Sequence, residues 1–248
     1  MTRTEATIRE TDQAAIALAR RLVRTAQSGS LAVLDPDQSG FPHSSRVTLG
    51  LDTDGVLFTL VSALAPHRRA MEQDPRCSLL VGEIGKGDPL AHPRLSLRCL
   101  AQPVDRETPE HNRLRDRHLR RQPKAALYID LPDFRFFRLT PIFASLNGGF
   151  GRAYRIEPDD LLISSRIREA LAKDEDRLLE LLNEPISKHA QRLATMQTGQ
   201  SSSSRWLIVG LDAAGLDLRS EEQFLRVEFN RELASTDELT SELHKLYG

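Results

Sequence analysis

Seven histidines, two cysteines and one dense run of arginines are the residues of this 248-residue chain whose chemistry reaches beyond packing. A neutral imidazole ligates metals and moves protons near neutral pH. His43, His67, His92, His111, His118, His189 and His244 are scattered along the chain and form no His-x-x-x-His pair. Cys77 and Cys99 each lie in an apolar, strand-like run; two cysteines alone make no metal site, and their spacing does not argue for a disulfide, so a reduced pair is expected. No nucleophile elbow is present, and no glycine-rich dinucleotide or phosphate loop follows a strand. His189 falls with Leu182, Ile186, Leu193 and Met196 on one face of a helix that Glu184-Pro185 can open, which reads as a packed, hydrogen-bonded histidine. Asp130 and Asp133 read as flanking a turn. The run Arg113, Arg115, Arg117, His118, Arg120, Arg121, Lys124 offers either a nucleic-acid patch or a solvated helix face. With a formal net charge of -1 there is no global field to attract nucleic acid or an anionic membrane, so the solvated face is expected.

The elements that must position these groups change character along the chain. A composition of 40% hydrophobic and 28% charged residues is ordinary for a globular chain able to bury a sizeable core. After Thr11-Asp12, which suit an N-cap, Ile16, Ala19, Leu22, Val23 and Ala26 recur at helical spacing. Strand-like runs follow at 30–34, 43–51, 56–61, 77–81, 95–101, 134–139 and 142–146. Asp52-Thr53-Asp54-Gly55 is a hairpin signal between two of them. Helices are expected at 63–73 and 109–121. Beyond Glu157-Pro158-Asp159-Asp160 the chain turns helical and charged to about Thr198. It then carries strands around 206–212 and 224–229 and a closing helix capped at Ser235 or Thr236. Residues 1–157 thus read as one domain and 158–248 as a second. No stretch approaches the ~18 apolar residues of a membrane span, and no signal-peptide core opens the chain; a cytoplasmic protein with no membrane or nucleic-acid partner is expected.

Two blocks in order, Phe58-Thr59-Leu60-Val61-Ser62-Ala63-Leu64-Ala65-Pro66-His67-Arg68 and Asp74-Pro75-Arg76-Cys77-Ser78-Leu79-Leu80-Val81, carry a resemblance. So do Pro42-x-Ser44, Asp133 to Leu139, and Gly148-Gly149-Phe150-Gly151-x-Ala153. Together they resemble the flavin-binding split-barrel superfamily of pyridoxamine 5'-phosphate oxidase-like proteins, most closely its haem-utilisation, haem oxygenase-like branch. The tail, through Val209-Gly210-Leu211-Asp212, Gly215-Leu216-Asp217-Leu218 and the last Leu-rich helix, resembles the small domain attached to that branch. The fold class implied is α+β: an FMN-binding split β-barrel, antiparallel and Greek-key, followed by a small C-terminal α/β domain.

The resemblance further implies a homodimer with cofactor clefts where the subunits meet. It places the phosphate of FMN on Arg46, Ser62, His67 and Arg68. A helix N-terminus with unpaired N–H groups and nearby guanidiniums suits such an anion on general grounds. Arg68 departs from the Thr common at its position in the branch. The chain also lacks the C-terminal Arg/His substrate motif of a true pyridoxamine phosphate oxidase, having Gly149 to Arg155 and another domain instead. Haem needs an axial donor; in haem-degrading relatives it comes from near the C-terminus, which makes His244 the positional candidate for the iron. FMN or haem is therefore the implied cofactor. Three roles follow: redox or haem handling, an oxidoreductase using FMN on another substrate, and a non-catalytic regulator binding tetrapyrrole or a partner.

Overall fold

The computed structural model describes residues 8–82, 85–149, 151–164, 166–184, 188–199, 204–221 and 223–246, the His244 side chain excepted. Helix α1 (Gln13–Thr25) starts where the Asp12 carboxylate accepts the Ala15 N–H at 2.7 Å, and its Ala15, Ala19, Leu22 and Val23 face is buried. It leads into β1 (Ser28–Asp35), β2 (Phe41–Thr48), β3 (Gly50–Leu51), β4 (Leu57–Ser62), α2 (Pro66–Gln73), β5 (Arg76–Gly82), β6 (Arg94–Pro103), α3 (Pro109–Arg121), β7 (Phe134–Asn147) and β8 (Ala153–Ile156). Helix α2 begins three residues later than its spacing suggests. Ala63 and Leu64 instead form the turn into it, and Pro66 sits in its first turn, where a missing N–H costs nothing. The runs at 134–139 and 142–146 are one 14-residue strand, β7.

The strands make an antiparallel sheet in the order β2-β1-β5-β6-β7-β4-β3, with β8 on β7. Only Leu49 separates β2, which pairs with β1 at one edge, from β3, which pairs with β4 at the other. One bent strand thus joins the two edges and curls the sheet into a barrel, with the Thr59 hydroxyl donating to the Thr48 carbonyl at 2.8 Å across the join. A register shift at Arg98/Cys99 bends the β6–β7 ladder. The first half of β7 can then pair with β4 and its second half with β8. This is an α+β split barrel.

Strand periodicity sorts the residues. Leu31, Val33, Val47, Leu79, Val81, Leu95, Leu97, Phe137 and Leu139 point into the barrel with α1 and α2 packed on them. The opposite face of β4 and the start of β7, through Phe58, Leu60 and Phe136, is covered by Leu114 of α3 and by Ala125 and Ile129 after it. The tail has its own core: α4 (Arg168–Leu182), α5 (His189–Thr198) and α6 (Glu238–Leu246) pack Leu171, Leu179, Leu193 and Leu243 against the meander β9 (Leu207–Asp212), β10 (Gly215–Arg219) and β11 (Phe224–Glu228). Pro185 and Ile186, in the stretch read as the opening of the His189 helix, lie outside the described residues. No described helix is long and apolar enough to cross a membrane.

Gly215 shows how tightly the tail meander closes. A Cβ there would lie 2.2 Å from the Val227 carbonyl oxygen, a backbone atom held in the β10–β11 ladder. Gly215→Ala is expected to destabilise the chain by about 1–3 kcal/mol, the range for overpacking, read as a shifted urea midpoint at unchanged slope.

Candidate functional site

Helix α2 opens at the end of β4, and the residues there divide between two sides of the barrel wall. Ser62 continues the outward series Phe58, Leu60, Ser62, and its hydroxyl donates to Asp133 Oδ2 at 2.8 Å while accepting the Leu64 N–H at 3.2 Å. The backbone carbonyl of Asp133 accepts the Ala63 N–H at 2.8 Å and an Nη1–H of Arg68, whose Nε–H donates to Glu72 at 3.0 Å. Asp133, read from the sequence as a turn residue, is thus the hub that draws Ser62 and Arg68 together. The turn uses up further donors: Ala65 N–H bonds to the Ser62 carbonyl at 3.1 Å and Arg68 N–H to the Ala65 carbonyl at 2.9 Å.

His67 turns elsewhere. It is half-buried, its Nδ1 is buried without a hydrogen-bond partner, and burial followed by the nearby His43 lowers its pKa. His43 lies on the inward series of β2 with Ser45 and Val47, and its Nε2 is 3.1 Å from the Ser45 hydroxyl. Arg46, an odd number of residues from His43, projects from the opposite, exposed face of β2. Among the described residues its side chain has no hydrogen-bond or ion-pair partner. Arg46, Ser62, His67 and Arg68 therefore do not converge as one cradle: Ser62 and Arg68 meet at Asp133, His67 meets His43, and Arg46 faces out. His244 belongs to α6, but its side chain lies outside the described residues.

The outward face of β1, β2, β5, β6 and the second half of β7 is covered by no described element. Phe41, Leu80 and Ile142 are 72%, 43% and 54% exposed on it or at its edge. A groove of about 330 Å³ runs along it, lined by Ala32, Leu34, Pro42, Ser78 and Ile142 with Arg76 and Arg98 at the rim. The Arg98 guanidinium lies 4.7 Å from the Phe143 ring centroid, a cation–π contact, and no carboxylate among the described residues pairs with it. Arg76 is held by Asp74 at 2.5 Å. Beneath the groove Cys77 and Cys99 are directly opposed in the β5–β6 ladder; both are reduced, with the Cys77 thiol 3.6 Å from the Cys99 carbonyl. That adjacency comes from register, which residue spacing does not reveal.

The arginine run departs most from its sequence reading. Arg117 and Arg121 are 5% and 4% exposed, and His118 is 0%. Arg117 bonds Glu175 of α4 and the Leu51 and Leu211 carbonyls; Arg120 reaches Glu175 at 2.8 Å and Asp176 at 2.6 Å; Arg121 bonds Asp217 at 3.0 Å and the Arg24 and Ala26 carbonyls. Arg117, Arg120 and Arg121 are thus a latch between barrel and tail rather than a solvated face, because carboxylates from the tail neutralise them, while Arg113 and Arg115 pair with Asp52 and Asp130. The hairpin turn at Asp52 is buried in the same seam. Burial alone would raise the Asp52 carboxyl, but hydrogen bonds and charge from Arg113, with Arg117 and Arg138, hold it at about 2. A cleft of about 570 Å³ lies beside this turn; Asp52, Asp54, Glu110, Arg113 and Arg138 of its lining pair with one another, and Arg168, Glu169 and Lys173 of α4 are its other charges. Those pairs tie the hairpin turn to α3 and β7.

Solved structures match this arrangement over nearly its full length, and the family model and curated relatives match about half of it. A family model described as pyridoxamine 5'-phosphate oxidase matches residues 15–145. The non-canonical heme oxygenase HOZ, chloroplastic, of Arabidopsis thaliana is 29% identical over 136 residues, which are 53% of this chain and 41% of that protein. The match thus spans less than half of that relative's own length. Among solved structures, a protein of unknown function from Agrobacterium tumefaciens superposes with a TM-score of 0.81 at 32% identity, covering 96% of this chain and 97% of the other. A heme binding protein from Mycobacterium smegmatis superposes with a TM-score of 0.55 at 25% identity, covering 97% and 98%.

Proposed function

This chain belongs to the pyridoxamine 5'-phosphate oxidase family, and from that premise we propose that it is a haem-handling protein whose two copies enclose the cofactor against the outer face of the barrel. The observation that carries the reading is the sheet face that no described element covers: apolar along its floor, with the Arg98 guanidinium, which no described carboxylate pairs, at its rim. An isolated monomer rarely leaves such a surface bare. A second copy would cover Phe41, Leu80 and Ile142, making a homodimer. A flat apolar guest bearing carboxylates would lie on Ala32, Leu34, Pro42 and Ile142, with Arg98 placed for a charge-assisted contact. The haem-named relatives from Arabidopsis and Mycobacterium support haem as that guest. When bound, haem would supply one-electron and O₂ chemistry, while this chain binds it, orients it and excludes water.

No histidine is among the described residues lining the groove, so a side chain that would hold the haem iron would come from elsewhere in the chain. We assign His244 of the tail to that role. A cytoplasmic location is part of the same reading.

Titrating the full chain with haemin tests it. A saturable Soret band is expected, together with a sedimentation coefficient of a dimer. Ile142→Asp, which puts a charge on the apolar face, should abolish both. His244→Ala should shift the band and weaken binding at least about tenfold, the scale of losing one ligand or its support. A wild-type chain that stays monomeric and leaves the haemin spectrum unchanged would reject the proposal.

A further inference from the structure

The phosphate of a flavin, by the resemblance to the flavin-binding barrels, belongs at the mouth of α2, where in this chain nearly every suitable donor is already spent inside the molecule. Ser62 Oγ–H points at the Asp133 carboxylate. Arg68 is divided between the Asp133 carbonyl and Glu72. Pro66 has no N–H, and those of Ala63, Leu64, Ala65 and Arg68 each have an internal acceptor. The end of α2 has no side-chain cap, and the nearest acidic group to Ser62 is part of the fold rather than a ligand. Of the four expected contacts, Arg46 and the His67 ring have no hydrogen-bond partner among the described residues; Arg46 projects from the face opposite His43, and burial with the nearby His43 disfavours a charged His67. FMN does not fit this mouth as it stands.

We infer that Asp133 is a built-in anion that takes the place of a cofactor phosphate at the mouth of α2, so that this chain discriminates against FMN in favour of a planar guest without a phosphate. This rests on the reading above that the barrel binds a planar cofactor. Charge repulsion supplies the selectivity. An incoming phosphate dianion would meet the Asp133 carboxylate and would also have to pull Ser62 away from that carboxylate and Arg68 away from the Asp133 backbone carbonyl and Glu72. A guest whose only anions are carboxylates, placed toward the outer groove, avoids both costs. Asp133 is a positioning and specificity residue, since it touches the residues that would otherwise hold the phosphate.

Riboflavin and FMN differ by the phosphate alone, so fluorescence titration of the full wild-type chain with each isolates its contribution. FMN is expected to bind no more tightly than riboflavin. Asp133→Asn keeps the shape and the backbone carbonyl but removes the charge; it should tighten FMN at least about tenfold, the lower end of what a like charge a few ångströms away exerts, and leave riboflavin unchanged. Asp133→Ala is the second variant, with circular dichroism as the check on folding. Wild-type chain that binds FMN tenfold or more tightly than riboflavin overturns the inference, as does a folded Asp133 variant whose FMN affinity has not risen. Haemin titrated in parallel separates the two readings: flavin results as expected with no haem uptake would remove the haem proposal and leave the role of Asp133 standing.

Discussion

Asp212→Ala is expected to cost about 3–5 kcal/mol of folding stability, the range for breaking a buried ion pair from one side. Asp212 is 0% exposed and the Arg226 side chain 1%; two bonds of 2.6 and 2.7 Å join them, and the Asp212 carboxylate also accepts the Ala214 N–H at 2.9 Å in the β9–β10 turn. Burial by itself would raise the Asp212 carboxyl, but Arg226 and then Arg117 and Arg24 lower it. Without this carboxylate Arg226 must rely on Asp217, which it already shares with Arg121 of the barrel, and on the half-exposed Glu228. The defect would therefore spread along the latch to α3. Urea denaturation measures the loss. Replacing both partners, Asp212→Leu with Arg226→Met, should recover most of it, since the penalty is the stranded charge rather than the value of the pair. A single-variant loss below about 1 kcal/mol, the scale of exposed pairs, would mean that the seam is open to water.

The second large effect is a dependence of stability on pH carried by His118. Its imidazole packs against both Phe58 and Phe136 at centroid distances of 5.9 and 5.8 Å, and neither ring nitrogen has a hydrogen-bond partner among the described residues. Burial, and then the neighbouring Arg121, bring its pKa from 6.5 to about 4. The charged groups on its own helix nearby are Arg117 and Arg121; the β4 and β7 residues against the ring are phenylalanines. Between those two pH values the unfolded chain takes up the proton and the folded chain does not. The contribution is therefore fully present above pH 6.5 and is lost as the pH falls toward 4, by roughly 3 kcal/mol in total. His67 and His111 have pKa values lowered chiefly by burial and act in the same direction. Asp52, held at about 2 against an ordinary 3.8, contributes stability that is lost only at lower pH, so the two windows are separable. His118→Leu should flatten the urea midpoint between pH 6.5 and 4 without lowering it at pH 7.5. An unaltered slope in that variant would place the protonation elsewhere.

The barrel was legible because strands alternate. Cys77, Leu79 and Val81, and Leu95, Leu97 and Cys99, fall on the inner face as their period of two demands, and the apolar spacing of α1 marks its buried side. The Ser62-to-Arg68 block was legible as a strand end meeting a helix start. What that place can hold depends on Asp133, 71 residues beyond Ser62, and no local pattern predicts that encounter.

By itself the sequence determined the elements, the order of the strand-rich and helix-rich halves, and the family resemblance, because these depend on composition and periodicity within a few neighbouring residues. Tertiary structure alone decided which charges are buried and which donors are free. Arg117 meets Glu175 across 58 positions and Arg121 meets Asp217 across 96, turning an apparently solvated helix face into an interior latch. The reason is that the cost of burying a charge is settled by the partner brought to it, and that partner is chosen by the fold.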